Sequence, residues 1–165
     1  MPRSGEAVVA MAFAKPSLKG RALRLLAQRE HSRAELQAKL APHVLEAEDL
    51  AALLDALEAG DFINPQRVAD SVVYRRAPRL GTQRVLQELR RKGLDEDLVR
   101  AAAPGLAASE LERARAVWRQ RFGAAPEAVT VQERARQMRF LASRGFAAEV
   151  VRQVVRAGGR GEDDE

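Results

Sequence analysis

The sequence predicts an all-α chain: an elongated solenoid of tandem three-helix repeats joined by helix-hairpin turns, about nine helices in all. Three observations predict it. Capping residues stand at regular intervals, apolar residues recur at spacings of three and four, and one basic-ended turn is written twice at an offset of 52 positions.

Taken in order, residues 1–16 precede the first helical signal and are expected to be a flexible arm. The apolar run Ala7–Ala14 ends in Ala12-Phe13-Ala14, a pattern like a signal-peptidase site. Only Arg3 stands ahead of it, Glu6 follows, and the run is short, so a cytoplasmic arm is the expectation. A helix over 17–30 comes next. Ser32-x-x-Glu35 fits a capping box opening 33–41, and a third helix over 47–59 completes a first repeat, 17–63. Asn64-Pro65 opens 65–77, with Asn as N-cap and Pro where its missing N–H costs nothing. Helices over 81–92 and 95–103 complete a second repeat, 64–107. Ser109-x-x-Glu112 and Thr130-x-x-Glu133 cap 109–122 and 131–144, and 147–157 completes a third repeat, 108–158. Gly60, Gly93, Gly145 and Gly158 follow helices and are expected in the left-handed C′ conformation. The end, 159–165, carries Glu162-Asp163-Asp164-Glu165 and reads as a disordered acidic tail.

Periodicity agrees with the caps. Leu111, Ala114, Trp118 and Phe122 form one stripe, and Val131, Ala135, Met138 and Leu141 another. These stripes assign Trp118 and the phenylalanines to a core rather than to base stacking. The repeated turn is Leu89-Arg90-Arg91-Lys92-Gly93-Leu94 against Leu141-Ala142-Ser143-Arg144-Gly145-Phe146. The match continues through Asp97 with Glu149, Val99 with Val151 and Ala102 with Val154. A related hairpin surrounds Ser32. Two short helices cannot bury their apolar faces alone, so neighbouring units must stack.

The chain has 165 residues and a mass of 18.1 kDa, with 46% apolar residues, enough for a core. It has no cysteine, which excludes disulfides and thiolate sites, and two histidines, too few for an all-histidine metal site. Its 28 basic residues are 24 Arg and 4 Lys, against 23 acids, for a net +5. So arginine-rich a composition weakens any single arginine as evidence of a site. His31 and His43 fall in turns and are expected to serve there or at the surface. Asp95-Glu96-Asp97 sits at a helix start, where carboxylates complement the dipole. With no P-loop, dinucleotide fingerprint or nucleophile elbow, no catalytic residue, cofactor or metal is expected.

Charge is segregated. From Glu30 to Asp61, eight acids face two bases, a net of −6; from Arg67 to Lys92, eight bases face two acids, a net of +6. The basic block is the candidate surface for something anionic. On the 65–77 helix, Val68, Ala69, Val72 and Val73 form the buried side, leaving Arg67, Asp70, Ser71 and Tyr74 exposed. The candidate partner- or DNA-binding residues are therefore Arg67, Tyr74, Arg75, Arg76, Arg79, Arg84, Arg90, Arg91 and Lys92. One exposed aromatic is too few for a stacking platform, so tight independent DNA binding is not expected.

Some of these residues carry a family resemblance. Arg29-Glu30-His31-Ser32, followed by Glu35-Leu36 and Lys39-Leu40, resembles the R-E-Y/H-S…E-L…K-L opening of the RecX regulatory proteins. Gly81…Val85…Leu89-x-x-Lys92-Gly93-Leu94 resembles their middle segment, and Arg144-Gly145-Phe146 their third turn. The similarity runs from about Leu18 to Ala157. Pro65 and Val68 depart from it, standing where the family often has an acid and an aromatic. The resemblance implies a non-enzymatic modulator, and in the main an inhibitor, of the RecA recombinase. Such a protein binds the RecA–DNA filament, lodges in its groove and limits its growth, strand exchange, ATPase and co-protease activities. It thereby belongs to homologous recombination, DNA repair and the SOS response. The partners implied are the RecA filament and, weakly or through the filament, single-stranded DNA, with a monomeric cytoplasmic protein and no membrane. The alternative is a stand-alone helix-turn-helix DNA binder, which needs polar base-reading residues at the start of a second helix. The starts here are Asp95-Glu96-Asp97 and Ala147-Ala148-Glu149, acidic or apolar.

Overall fold

Packing of the predicted apolar stripes yields only helices. The computed structural model describes residues 15–124 and 130–158, and among them there are eight α-helices and no strand. They are α1 (Leu18–Gln28), α2 (Arg33–Leu40), α3 (Leu50–Ala59), α4 (Pro65–Arg76), α5 (Thr82–Arg91), α6 (Glu96–Phe122), α7 (Val131–Ser143) and α8 (Ala148–Arg156). A short 3₁₀ turn, Ala41–His43, follows α2. The chain divides into two units, Met1–Asn64 and Pro65–Glu165. The expected N-terminal arm with its Ala7–Ala14 run and the expected acidic tail lie outside the described residues, except for Lys15 and Pro16. Among the described residues no helix is long and apolar enough to cross a membrane.

The first unit closes on Leu18, Ala22, Leu36, Leu40, Leu54 and Leu57, all buried. Ser32 makes the full capping box: its hydroxyl accepts from Glu35 N at 3.1 Å, and Glu35 Oε2 accepts from Ser32 N at 2.9 Å. Arg29 clasps the same carboxylate with two N–H groups at 3.2 Å. Gly60 corrects its expectation. It has φ −83, and the left-handed residue is Asp61 at φ 62. α3 ends at Ala59 as expected, but Gly60 is its C-cap, so the left-handed C′ position falls on Asp61. Asp61 N and Phe62 N reach back to Glu58 and Leu57 carbonyls, a Schellman closure. The Asp61 carboxylate accepts from Asn64 Nδ2 at 2.9 Å.

The second unit holds two cores. One is built on Val68, Val72, Val85, Leu89, Val99 and Leu106, the other on Ala114, Trp118, Phe122, Leu141, Phe146 and Val154. The repeated turns close identically. Gly93 N reaches Arg90 O and Leu94 N reaches Leu89 O; Gly145 N reaches Ala142 O and Phe146 N reaches Leu141 O. Gly93 and Gly145 take φ 76 and 88, the left-handed C′ position of the Schellman motif.

Three expectations are corrected in this unit. Helices 95–103 and 109–122 are one 27-residue helix, α6, which runs through Pro104, so the described residues hold eight α-helices rather than nine. Ser109 is not a cap: its hydroxyl donates to Leu106 O at 3.3 Å and accepts from Arg113 Nε at 2.9 Å. Pro104 and Arg100, whose carbonyl loses its helical donor there, are on the solvent side, while Val99 and Leu106 are buried across the break and hold the helix on course. Val131 is 83% exposed, because the first turn of α7 extends beyond the part that packs; Leu141 on the same stripe is fully buried.

Candidate functional site

The start of α5 is packed against the turn that follows α7, and the contacts there decide which arginines remain for binding. Gly81 is the N-cap of α5 and has no side chain to cap with. The vacancy is imposed by packing, since a Cβ there would come closer than 3.0 Å to the backbone of Gly145 and Phe146. Gly81 N donates to Arg144 O at 2.8 Å. The missing cap is supplied from α6: Glu110, buried, accepts from Thr82 N at 2.8 Å.

Beside it, Arg113 uses its whole donor fork. Nη1 donates to the carbonyls of Ala77 (2.9 Å) and Leu80, Nη2 to Leu106 O (2.8 Å) and Thr82 Oγ1 (3.2 Å), and Nε to Ser109 Oγ. Burial pulls the Arg113 guanidinium below its ordinary pKa, and the Glu110 charge opposes that pull. Neither residue was singled out by sequence reasoning. The available signal was a carboxylate on an apolar stripe, since Glu110 stands four residues from both Leu106 and Ala114.

Of the nine candidate residues, several are occupied within the fold. Arg84 Nη1 donates to Ser143 O at 2.7 Å, and its side chain lies where a Cβ on Gly145 would point, so Arg84 staples α5 to the third turn. Arg76 pairs with Glu88 at 2.8 Å between α4 and α5. Arg90 forks onto Glu96 at 2.9 and 3.2 Å, holding that carboxyl below its ordinary pKa while its own rises. Arg67 and Lys92 are half-buried and engaged in polar interactions of their own, and Ser71 is half-buried rather than exposed. That leaves Arg75, Arg79 and Arg91 exposed, with no carboxylate paired to them among the described residues, and Tyr74, 84% exposed as expected. Arg75 Nε donates only to Ser71 O, at 3.3 Å.

Two further features went unseen in the sequence. The Arg121 and Arg144 guanidinium carbons lie 5.6 and 5.0 Å from the Phe140 ring centre, and Phe140 meets Phe122 edge-on at 5.4 Å. A groove of about 460 Å³ runs between α4 and α6, floored by Ala69, Val73, Ala77, Leu98, Ala102 and Leu106. Gln66, Asp70, Tyr74 and Ser109 also line it.

His31 is in the turn, as expected, and there it is only 1% exposed. Its Nδ1 lies 3.0 Å from Arg29 O and its Nε2 3.0 Å from Lys39 Nζ. An ammonium must donate, so Nε2 accepts and Nδ1–H donates, which describes a neutral ring. Burial lowers its pKa from 6.5, and the Arg29 and Lys39 charges lower it further, against the carbonyl of Arg29 and the Glu35 charge. Asp95, Glu96 and Asp97 form the N-cap and first turn of α6, as expected. Among the described residues no group of three or more His, Asp or Glu could hold a metal.

Comparison with known proteins gives a consistent result. A family model described as RecX, second three-helix domain, matches residues 66–102, and one described as RecX, third three-helix domain, matches 108–155. The regulatory protein RecX of Leptothrix cholodnii is 54% identical over 140 residues, 85% of this chain and 88% of that protein. The corresponding protein of Ralstonia nicotianae is 48% identical over 84% of this chain and 86% of its own length. That of Herminiimonas arsenicoxydans is 46% identical over 93% and 100%. Among solved structures, a RecX from Lactobacillus salivarius superimposes with a TM-score of 0.65 at 17% identity, covering 85% of this chain and 93% of that one. A second crystal structure of a regulatory protein RecX gives 0.68 at 20% identity, over 93% and 79%. At those identities the solved structures speak for the fold.

Proposed function

This chain belongs to the RecX family of regulatory proteins, and from that membership we propose that it modulates the RecA recombinase by binding the RecA–DNA filament and limiting its growth and activities. The observation that carries the reading is near-half identity to regulatory proteins of that name over most of the chain. The geometry supports contact rather than chemistry. Of the polar side chains buried in the second unit, Glu110 caps α5, Gln137 accepts from Trp118 and Arg115 pairs with Glu112, while Thr82 accepts from half-buried Arg113, which also serves carbonyls. Action on the filament places the protein in the cytoplasm.

The contact surface we propose is reduced by the structure from nine residues to Arg75, Arg79, Arg91 and Tyr74, because the remaining cations are engaged within the chain. Three exposed guanidinium groups with no carboxylate paired to them among the described residues suit the phosphates and carboxylates of a negatively charged filament. The second helices of the hairpins begin with Glu96-Asp97 and Glu149, which a DNA groove would repel, so a stand-alone base reader is disfavoured.

Co-sedimentation with RecA on single-stranded DNA tests this. The wild-type chain should pellet with the filament, and reversing Arg75, Arg79 and Arg91 together to Glu should weaken association at least about tenfold, with helicity unchanged and a shallower salt dependence. Undiminished association of the triple variant removes the surface assignment. A wild-type chain that stays in the supernatant removes the RecA reading itself.

A further inference from the structure

The groove between α4 and α6 is unfilled for a reason that lies in its residues. Four alanines, Ala69, Ala77, Ala101 and Ala102, with Gly105 at the wall, leave space between the larger Val73, Leu98 and Leu106. A Cβ built on Gly105 meets nothing within 4 Å, whereas one on Gly81 strikes backbone. Elsewhere in the same unit the helices bring Leu86, Leu89 and Val99 together and close the space. The volume, about 460 Å³, is in the usual range for a binding pocket, ~300–1,000 Å³.

Charge at the rim identifies what fits. Asp70 is one of only two acids between Arg67 and Lys92. The other, Glu88, is paired with Arg76. Asp70 is exposed, accepts a hydrogen bond only from its neighbour Gln66 at 2.9 Å, and has no cation paired to it among the described residues. Arg75, one turn along, is turned toward Ser71 O instead. Tyr74, nearly fully exposed, stands beside Asp70 on the same rim. An apolar floor with a lone carboxylate and a phenol at its edge is a poor seat for a phosphate backbone, which the carboxylate would repel.

We propose that this groove is a docking site for a protein segment that presents a bulky apolar side chain, seated over Ala69, Val73, Ala102 and Leu106, with a lysine or arginine beside it that pairs with Asp70. The mode is that of an amphipathic segment laid in a groove between two helices, with an anchor residue at its centre. It deepens the reading above and rests on it for the identity of the protein supplying the segment: the groove is a second contact on the filament, reading RecA protein, beside arginines that answer to charge.

The test uses the full chain and two variants, Gly105→Leu, which fills the groove from its own wall, and Asp70→Lys, which reverses the rim. The readout is the concentration that half-suppresses ATP hydrolysis by RecA on single-stranded DNA, with the unfolding midpoint followed by Trp118 fluorescence to certify the fold. Each variant should need about tenfold more protein or beyond, as removal of an anchor does, at an undiminished midpoint. If wild type suppresses and Gly105→Leu suppresses equally, the groove proposal falls while the RecA reading stands. If Asp70→Lys alone matches wild type, the cationic occupant is wrong. A wild-type chain without effect overturns the RecA reading, and this occupant with it.

Discussion

Replacing Gly81 with alanine puts a single methyl group between the start of α5 and the third turn. That Cβ would sit within 3.0 Å of the Gly145 carbonyl and the Phe146 nitrogen, both backbone atoms that no side-chain rotation can move aside. Restoring an ordinary contact of about 3.5 Å means parting the two turns by roughly 1 Å. Such a shift breaks Gly81 N to Arg144 O, now 2.8 Å, and strains Arg84 Nη1 to Ser143 O, now 2.7 Å. Overpacking of this kind costs about 1–3 kcal/mol, and a lost hydrogen bond about 0.5–1.5 more. The expected loss is therefore about 2–4 kcal/mol for the second unit. The assay is denaturant unfolding followed by fluorescence of Trp118, the chain's one tryptophan, which lies in that unit's core. The midpoint should fall without a change in slope. Gly105→Ala is the control: it meets open space inside α6 and should stabilise by about 0.5–1 kcal/mol through helix propensity. A Gly81→Ala chain within about 0.5 kcal/mol of wild type would refute the claim that this glycine exists for backbone-to-backbone packing.

Arg113→Met should cost about 2–4 kcal/mol by the same Trp118 assay, because it leaves the Ala77 and Leu80 carbonyls without their donor; Arg113→Lys should recover only part of this, lacking the fork. A loss below about 1 kcal/mol would show those carbonyls are satisfied otherwise. His31 has its pKa lowered on folding, so its neutral form is the folded one. Its stabilisation is complete above the unfolded value of 6.5 and is lost as pH falls below it, at up to about 1.4 kcal/mol per pH unit. Amide-exchange protection in α1 and α2 should therefore drop between pH 7.5 and pH 5.5; equal protection, or a His31 ring titrating at or above 6.5 by NMR, would contradict the neutral buried ring.

What the sequence discloses and what it hides divide along the range of the interactions. The caps at Ser32 and Thr130 and the turns at Gly93 and Gly145 are settled within six residues, and each was legible. Ser109-x-x-Glu112 carries the same local signal as Ser32-x-x-Glu35 and fails, because Arg113 takes up Ser109 Oγ and the Leu106 carbonyl and buried Val99 and Leu106 carry α6 through Pro104. Gly60 and Val131 miss by one residue and one turn, the scale on which helix ends are decided by packing. The candidate surface was legible as net charge but not as free charge. Arg84 and Ser143 are 59 residues apart and Thr82 and Glu110 are 28 apart, so no periodicity could show that an arginine or a carboxylate was already committed. The groove was invisible for a related reason: its space is left by alanines, which read as core on either helix alone.

RecA-catalysed ATP hydrolysis on single-stranded DNA, titrated with this chain, tests the central claim most directly. A modulator that limits filament growth acts at few places per filament, so the rate should fall when the chain is well below one copy per RecA subunit. A rate unchanged at equimolar chain would contradict the account.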